Sequence, residues 1–440
     1  MTHYARLICL LSLGLWPWLA QAQQTTLTLE QAIQQTFANN YSIKVARYQV
    51  TVAENAAIAG NAGLMPTVAL NAGMSYSLND VNLVFLSGDG QSIDNAATVS
   101  GNASIEARYI LYQGGANKRN LQNLLLTARQ TDAESRRLVE ETLSQTINAY
   151  YAVALAQENL SVAQQAIDIS TDRFKRAQQR AEFGAASSLD VLNATVDLNA
   201  DSVRYFAASI DYRNAKRNLN NLMAQSLDYD YEVEKQVADA DLPALNTLLG
   251  KAKENNAELV AIRQNLRVSE NSLHIAQAAN YPTIDLNAAY GYNRTEAQAG
   301  FVISNQTRGF NAGITLNWPI FNGMQRRTQI QNARIGVDIA QEQEKLIQER
   351  IEREVVNAYA TYENALFVVR MQERNVRIAE QNFEQSTEKF NFGQINTTQF
   401  REAQLNLVQA RNALNNAYFT AKTAELEVVR LSGELLQELR

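Results

Sequence analysis

The feature that most narrows the possible folds is an internal repeat. The segment "VAENAAIAGNAGLMPTVALNAGMSY" from Val52 aligns without gaps on "VSENSLHIAQAANYPTIDLNAAYGY" from Val268, an offset of 216. Upstream, Asn39-Asn40 falls on Asn255-Asn256. Downstream the offset becomes 209. Tyr112 then falls on Phe321, Gly114 on Gly323, Asn148-Ala149-Tyr150 on Asn357-Ala358-Tyr359, and Phe183-Gly184 on Phe392-Gly393. A chain carrying one unit twice builds two like substructures, and its fold must accommodate both. The length difference lies between Tyr76 and Tyr112, where loops absorb insertions.

This gives a first repeat over 23–225 with a β-hairpin at about 67–111, and a second over 244–433 with a hairpin at about 283–318. The acidic stretch "SLDYDYEVEKQVADADLP" (226–243) is the linker, and 434–440 is a tail. Residues 1–22 stand apart. Arg6 precedes the apolar run "LICLLSLGLWPWLA", which ends in Ala20-Gln21-Ala22, so a secretory signal peptide cleaved after Ala22 is expected. Cys9, the single cysteine, leaves with it, which suits an oxidising compartment. Cleavage moves the formal charge from −6 to −7, and no Lys/Arg block stands out, which argues against nucleic acid as a partner. After residue 22 no run approaches the roughly 18 apolar residues of a spanning helix.

Within each repeat the hydrophobic period changes. Val68, Leu70, Ala72, Met74, Tyr76 and Leu78 alternate with Thr67, Ala69, Asn71, Gly73, Ser75 and Ser77. The period of two is that of a strand with one oily and one wet face. Val99–Leu111, Thr283–Asn293 and Phe310–Trp318 repeat the pattern, giving four strands of about ten to twelve residues in two antiparallel hairpins. Tyr76, Tyr109, Tyr112, Tyr292, Trp318 and Phe321 are placed to form aromatic girdles. Four strands cannot close, and an open edge in hydrocarbon leaves backbone groups unpaired, so a membrane sheet of this kind must pool strands between copies. Two copies would give eight strands and three would give twelve.

The rest reads as helix, rich in Ala, Gln, Asn, Glu and Leu and poor in proline: after the signal peptide only Pro66, Pro243, Pro282 and Pro319 remain. Uninterrupted runs at Ala116–Phe183 and Met324–Phe392 predict helices about 100 Å long. Leu160, Ala163, Ile167, Ser170, Phe174, Ala177 and Ala181 form a coiled-coil seam, echoed by Val369, Val376, Ala379, Phe383, Ser386 and Phe390. Shorter helices are expected at 28–63 and 187–225, and again at 244–280 and 396–432. Each long helix meets its returning partner through "FGAASSLDVLNA" (Phe183–Ala194) or "FGQINTTQFREA" (Phe392–Ala403). Gly184 and Gly393 would stop the first helix, and Ser187, Ser188, Thr397 or Thr398 would cap the next. As plain helix turns these need no further role, but the same form kept in both copies marks a working surface.

Taken together, the signal peptide, the tandem repeat, the hairpins opened by Pro66 and Pro282 and the Phe-Gly turns followed by Asp190-Val191 resemble the TolC family of outer-membrane efflux proteins over residues 27–433. The resemblance implies a mainly α fold with a small membrane β part. Long coiled-coil helical hairpins would form a periplasmic α-barrel, and four strands per chain would enter a shared twelve-stranded β-barrel in a homotrimer. It implies an exit duct in the outer membrane of a Gram-negative bacterium. Such a duct serves a tripartite efflux pump or type I secretion system, in contact with outer-membrane lipid, a periplasmic adaptor (membrane fusion protein) and an inner-membrane transporter. The adaptor-docking turns would be Phe183, Gly184, Ala185 and Ala186 with Phe392, Gly393 and Gln394. The helix–strand junctions are marked by Pro66, Pro282 and Pro319. The family often rings its closed tip with carboxylates just past the turn glycine. Here Asp190 keeps that place, Gln399 takes it in the second copy, and Glu402 supplies a charge one helical turn on. Phe390 and Ile395 are apolar where polar locking contacts would be expected.

No enzyme is expected. His274 is the single histidine after residue 22, no metal-ligand spacing occurs, and no cofactor is implied. Asp190 also suits a helix start by charge alone. The competing architecture is a coiled-coil spacer of the cell envelope without a conduit, which would need neither polar-faced strands nor matched turns.

Overall fold

A computed structural model describes residues 26–184, 187–234 and 242–435. The expected signal peptide, Ala185, Ala186, 235–241 of the linker and 436–440 of the tail lie outside the described residues. In chain order the elements are β1 (Thr26–Leu27), α1 (Leu29–Asn39), α2 (Tyr41–Ala56), β2 (Thr67–Val84), β3 (Gly90–Gln113), α3 (Ala116–Glu182), α4 (Ser188–Leu222) and β4 (Glu232–Val233). Then follow α5 (Leu245–Asn255), α6 (Ala257–Ala278), β5 (Thr283–Ala297), β6 (Ser304–Asn317), α7 (Gln325–Asn391) and α8 (Thr397–Ser432).

The long helices α3 and α7 are each 67 residues, about 100 Å at 1.5 Å per residue. Neither contains proline, so nothing interrupts the hydrogen-bond ladder. The shorter runs are not single helices. The structure breaks 28–63 and 244–280 at the paired asparagines. Asn40 accepts from the amides of Ser42 and Ile43, and Asn256 from those of Glu258 and Leu259. Each asparagine leaves the helical region to cap a second helix, which an asparagine does at little cost.

The chain divides into two compact units. Of the described residues, the first comprises 26–38, 145–184, 187–234 and 369–419, the second 39–144, 242–368 and 420–435. In the first unit, Tyr150, Val153, Leu219, Met223 and Tyr231 bury against Leu27 and Val233. Those last two residues are a parallel pair joining β1 to β4. The Tyr150 hydroxyl donates to the Leu27 carbonyl at 3.0 Å and accepts from the Glu234 amide at 3.2 Å, which ties both strands to α3.

In the second unit, Leu248, Leu259, Ile351, Val355, Tyr362, Val428 and Leu431 form the core. The same unit holds one four-stranded antiparallel sheet in the order β2-β3-β5-β6. The alternation is as expected but the strands are longer, from 14 to 24 residues. Between the two strands that alternation predicts, the ladder continues, with β3 pairing from Gly90 onward. A bulge between Asn79 and Val81 restores the register, and the turn shrinks to the residues between Phe85 and Asp89. Among the described residues nothing covers the apolar face: Val68 is 70% exposed, Met74 80% and Ile314 68%. Both edge strands, β2 and β6, lack a partner among the described residues.

Pro66 and Pro282 each precede the first residue of a strand, where the missing amide costs no ladder bond. Pro319 follows β6, and its carbonyl accepts from Arg326 at 2.8 Å. Beside these junctions Gly114 has φ +59°, and a Cβ there would lie 2.4 Å from the Ala278 carbonyl oxygen, so no other residue fits.

Candidate functional site

The described residues of the two helical turns match. At the second, Gly393 adopts φ +73°, its amide donates to the Phe390 carbonyl at 3.0 Å, and the Gln394 amide donates to Lys389 at 2.8 Å. That pair of bonds closes the last carbonyls of α7. At the first, Gly184 has φ +69° and its amide reaches the Ala181 carbonyl at 3.0 Å. Phe183 and Phe392 are 87% and 81% exposed. Large rings standing in water beside a turn are what a docking surface offers.

The returning helices start on matched capping boxes. Ser187 Oγ accepts from the Asp190 amide at 3.2 Å, and Asp190 Oδ2 accepts from the Ser187 amide at 3.1 Å. In the second copy Asn396 Oδ1 accepts from the Gln399 amide at 2.9 Å, and Gln399 Oε1 accepts from the Asn396 amide at 3.1 Å. The cap is therefore Asn396 rather than Thr397 or Thr398, because the helix begins one residue earlier than those threonines allow. Asp190 and Gln399 occupy equivalent places and do the same structural work. Glu402 is exposed on α8, one turn beyond Gln399.

Close to these turns lies a polar cluster absent from the sequence-based expectations. Arg401 on α8 reaches Asp201 on α4 with two bonds, Nη1 to Oδ2 at 2.5 Å and Nη2 to Oδ1 at 2.8 Å. Its Nε lies 3.5 Å from Asp197. The hydroxyl of Ser170 on α3 donates to Asp201. Gln404 Nε2 donates to the Ala166 carbonyl at 3.2 Å, while its Oε1 accepts from Arg401 at 3.1 Å. Arg173 pairs with Asp197. Asp201, Ser170 and Gln404 are buried to within 1% exposure.

Burial alone would raise the Asp201 carboxyl. Hydrogen bonds from Arg401 and Ser170, with the charges of Arg401 and Arg204, outweigh it and hold the group below the ordinary carboxylate range. Two-point guanidinium contact fixes orientation as well as distance, so the cluster fastens α8 of the second repeat to α3 and α4 of the first. Between Arg401 and the turn, Phe400 stacks on Phe390 with centroids 4.7 Å apart and touches Phe383 at 5.6 Å.

On α3 the expected line of Leu160, Ala163, Ile167, Phe174, Ala177 and Ala181 is half-buried, with Ser170 fully so. The most buried residues beside it are Val162, Ala166 and Arg173, where the helix turns toward the cluster. On α7 the expected line holds: Val369 and Val376 are buried, and Ala379, Phe383, Ser386 and Phe390 are half-buried. The ion network could be suspected from Ser170 sitting in an apolar seam. Its partners, some 30 and 230 residues away, could not be paired from spacing.

Among the described residues no group of acidic, histidine or cysteine side chains is arranged to hold a metal ion, and no helix is long and apolar enough to cross a membrane. Comparison with known proteins adds relatives. The family model described as outer membrane efflux protein matches residues 32–225 and 248–434. Outer membrane protein TolC of Vibrio cholerae is 21% identical over 416 residues, covering 93% of this chain and 91% of that protein. Protein CyaE of Bordetella pertussis is 26% identical over 289 residues, 64% of this chain, and the match spans 57% of that protein's length. Among solved structures, the Campylobacter jejuni CmeC outer membrane channel superposes with a TM-score of 0.78 at 15% identity, covering 92% of this chain and 85% of that one. The open state of the Neisseria gonorrhoeae MtrE outer membrane channel gives 0.73 at 18% identity, covering 92% and 88%.

Proposed function

This chain belongs to the outer membrane efflux protein family, and from that premise we propose that it is the outer-membrane exit duct of a tripartite efflux pump or type I secretion system. The observation that carries the reading is the sheet. Its four strands show an apolar face to the outside, small polar residues on the other side, and two open edges. In hydrocarbon each unpaired edge group costs several kcal/mol, so β2 of one copy takes up β6 of another. Three copies close a twelve-stranded barrel, and the homotrimer encloses a pore lined by Asn71, Ser75, Asn102, Ser104, Asn287 and Asn311. The duct carries out no covalent chemistry and needs no cofactor.

The helical turns are the periplasmic end, where an adaptor meets Phe183, Gly184, Phe392, Gly393 and Gln394, and beyond it an inner-membrane transporter supplies the cargo. Arg401 and Asp201 hold that end together within one copy. Glu402, one per copy, places carboxylates around the opening, as charged rings do in cation-selective pores.

Two measurements test the reading. The purified full chain reconstituted in planar bilayers should conduct ions and scatter light as an oligomer. A folded, monodisperse monomer would overturn the shared barrel, and an oligomer that never conducts would leave a spacer instead of a duct. On intact cells, an epitope inserted at Gly88 should bind antibody and one inserted at Gln394 should not. The reverse result would invert the orientation.

A further inference from the structure

On the outward face of the sheet the apolar band ends differently on the two hairpins. On the first it runs through Met74, Tyr76 and Leu78. On the second it stops at Tyr292 and Phe310, and the same outward face then carries Arg308, Arg294 and Glu296. Side-chain alternation fixes this: Arg308 lies opposite Tyr292 and Arg294 opposite Gln306, all in step with Leu286, Tyr290, Ile314 and Leu316. Arg294 and Arg308 are thus diagonal neighbours, about 7–8 Å apart at the backbone. Two cations set side by side repel one another unless an anion lies between them.

Beside them the surface is hollow. In the ladder Gly101 stands against Arg294 and Ala103 against Tyr292, with Met74 and Ala72 on the far side. A Cβ built on Gly101 would meet nothing within 4 Å. The result is a shallow slot floored by Gly101 and Ala103, walled by Met74 on β2 and by Tyr292 and Arg294 on β5, with Arg308 on β6 just behind Tyr292. Glu296 pairs with Arg294, with both side chains about half exposed. Among the described residues no carboxylate stands in ion-pair range of Arg308.

We propose that this slot is a binding site for a phosphate-bearing lipid of the leaflet nearest the hairpin turns, its phosphate held between Arg294 and Arg308 and an acyl chain laid over Gly101 and Ala103. The inference rests on the reading of the sheet as a membrane barrel. Phosphate fits the arginine pair because guanidinium donors match its oxygens two at a time. An acyl chain fits the slot because Met74 and the Tyr292 ring flank it and its floor carries nothing larger than the Ala103 methyl. Lipid rather than free phosphate is the ligand because the cations adjoin the apolar band, where only an amphiphile presents both parts together. Glu296 competes with the phosphate for Arg294 and sets the affinity below its maximum.

The test uses the purified full-length oligomer in neutral detergent, with bisphosphoryl lipid A as probe and its dephosphorylated form as control, read by native mass spectrometry. The wild type should retain bisphosphoryl lipid A and not the control. Arg294→Ala/Arg308→Ala should weaken retention by about tenfold or more, and Glu296→Gln should strengthen it. Inorganic phosphate at millimolar concentration should not displace the lipid. Equal retention by the wild type and the double variant overturns the site, and displacement by inorganic phosphate reassigns it to a free anion. Conductance of the double variant separates this failure from failure of the duct itself: it should match the wild type, since neither arginine faces the pore. If the wild type itself never conducts, the barrel reading has failed and not the lipid site alone.

Discussion

The two helical turns share a left-handed glycine and a capping box, and they differ in what surrounds them. Ser187 with Asp190 and Asn396 with Gln399 close the same capping box, one with a charge and one without. The polar cluster beside them has no twin. At the 209-residue offset Arg401 corresponds to Leu192, Gln404 to Thr195, Ser170 to Ala379 and Arg173 to Asn382, while Asp197 and Asp201 correspond to Asn406 and Ala410. Every ionised member of the cluster is uncharged in its counterpart. Turn geometry can be met by several polar residues, so both repeats keep it while their sequences drift. A buried ion pair needs both partners at once, so it exists at one junction and not at its repeat. The repeats supply like frames, and the fastening is particular to one of them.

The sharpest way to break that contrast is to remove half of the pair. Asp201→Ala leaves the buried Arg401 with only its longer ionic contact to Asp197, which should cost about 3 kcal/mol, read as faster amide exchange in the first turns of α8. Replacing both, with Asp201→Ala and Arg401→Leu, copies the counterpart positions. Most of the loss should return, since an apolar pair of similar volume is often as stable as the ion pair it replaces. Recovery of nothing would show that the cluster does more than fasten the helices.

Acid should act on the same pair. Because the folded-state carboxyl of Asp201 titrates below its unfolded value, its contribution is complete above the unfolded pKa of about 3.9 and fades as pH falls through the lower folded value. Limited pepsin digestion should therefore leave α8 intact near about pH 5 and cut it progressively below about pH 4. The double variant should lack that pH step.

The caps come next in size. Ser187→Ala and Asn396→Ala should each cost about 1 kcal/mol of local stability, nearly equal because the two boxes have one geometry. A cost confined to Ser187 would make the second turn a different structure from the first. Smallest for the fold is Glu402→Ala, which should leave thermal unfolding unchanged and yet raise conductance or weaken block by divalent cations in planar bilayers. Unchanged block would leave Glu402 an ordinary solvated residue.

Much of this was legible in the residues. Alternation gave both hairpins, the absence of Gly and Pro gave α3, and the repeat tied the turns to each other. The first hairpin runs beyond its alternating stretch because a bulge near Asn79 lets the ladder continue to Gly90, and period two alone does not reveal a bulge. The breaks at Asn40 and Asn256 were visible as paired landmarks without their meaning, since capping by asparagine depends on backbone angles that composition does not carry. The Arg401 cluster was hidden because it joins residues from three helices and both repeats. Periodicity reports which face of a helix is apolar, and it is silent on which distant charge will find another.

The pairing of β1 with β4 sets an order of events. Leu27 and Val233 are more than two hundred residues apart in sequence, and each strand is two residues long. Closing an unstructured loop of that length costs about 4–5 kcal/mol before any contact repays it, far more than two ladder bonds return. The pair can therefore form only after α3 and α4 have folded and brought Tyr150 and Tyr231 together to receive it. It is a seal set last, and its two buried side chains serve as a clock for completion of the first repeat. In refolding, protection of the Leu27 and Val233 amides should appear after that of α3.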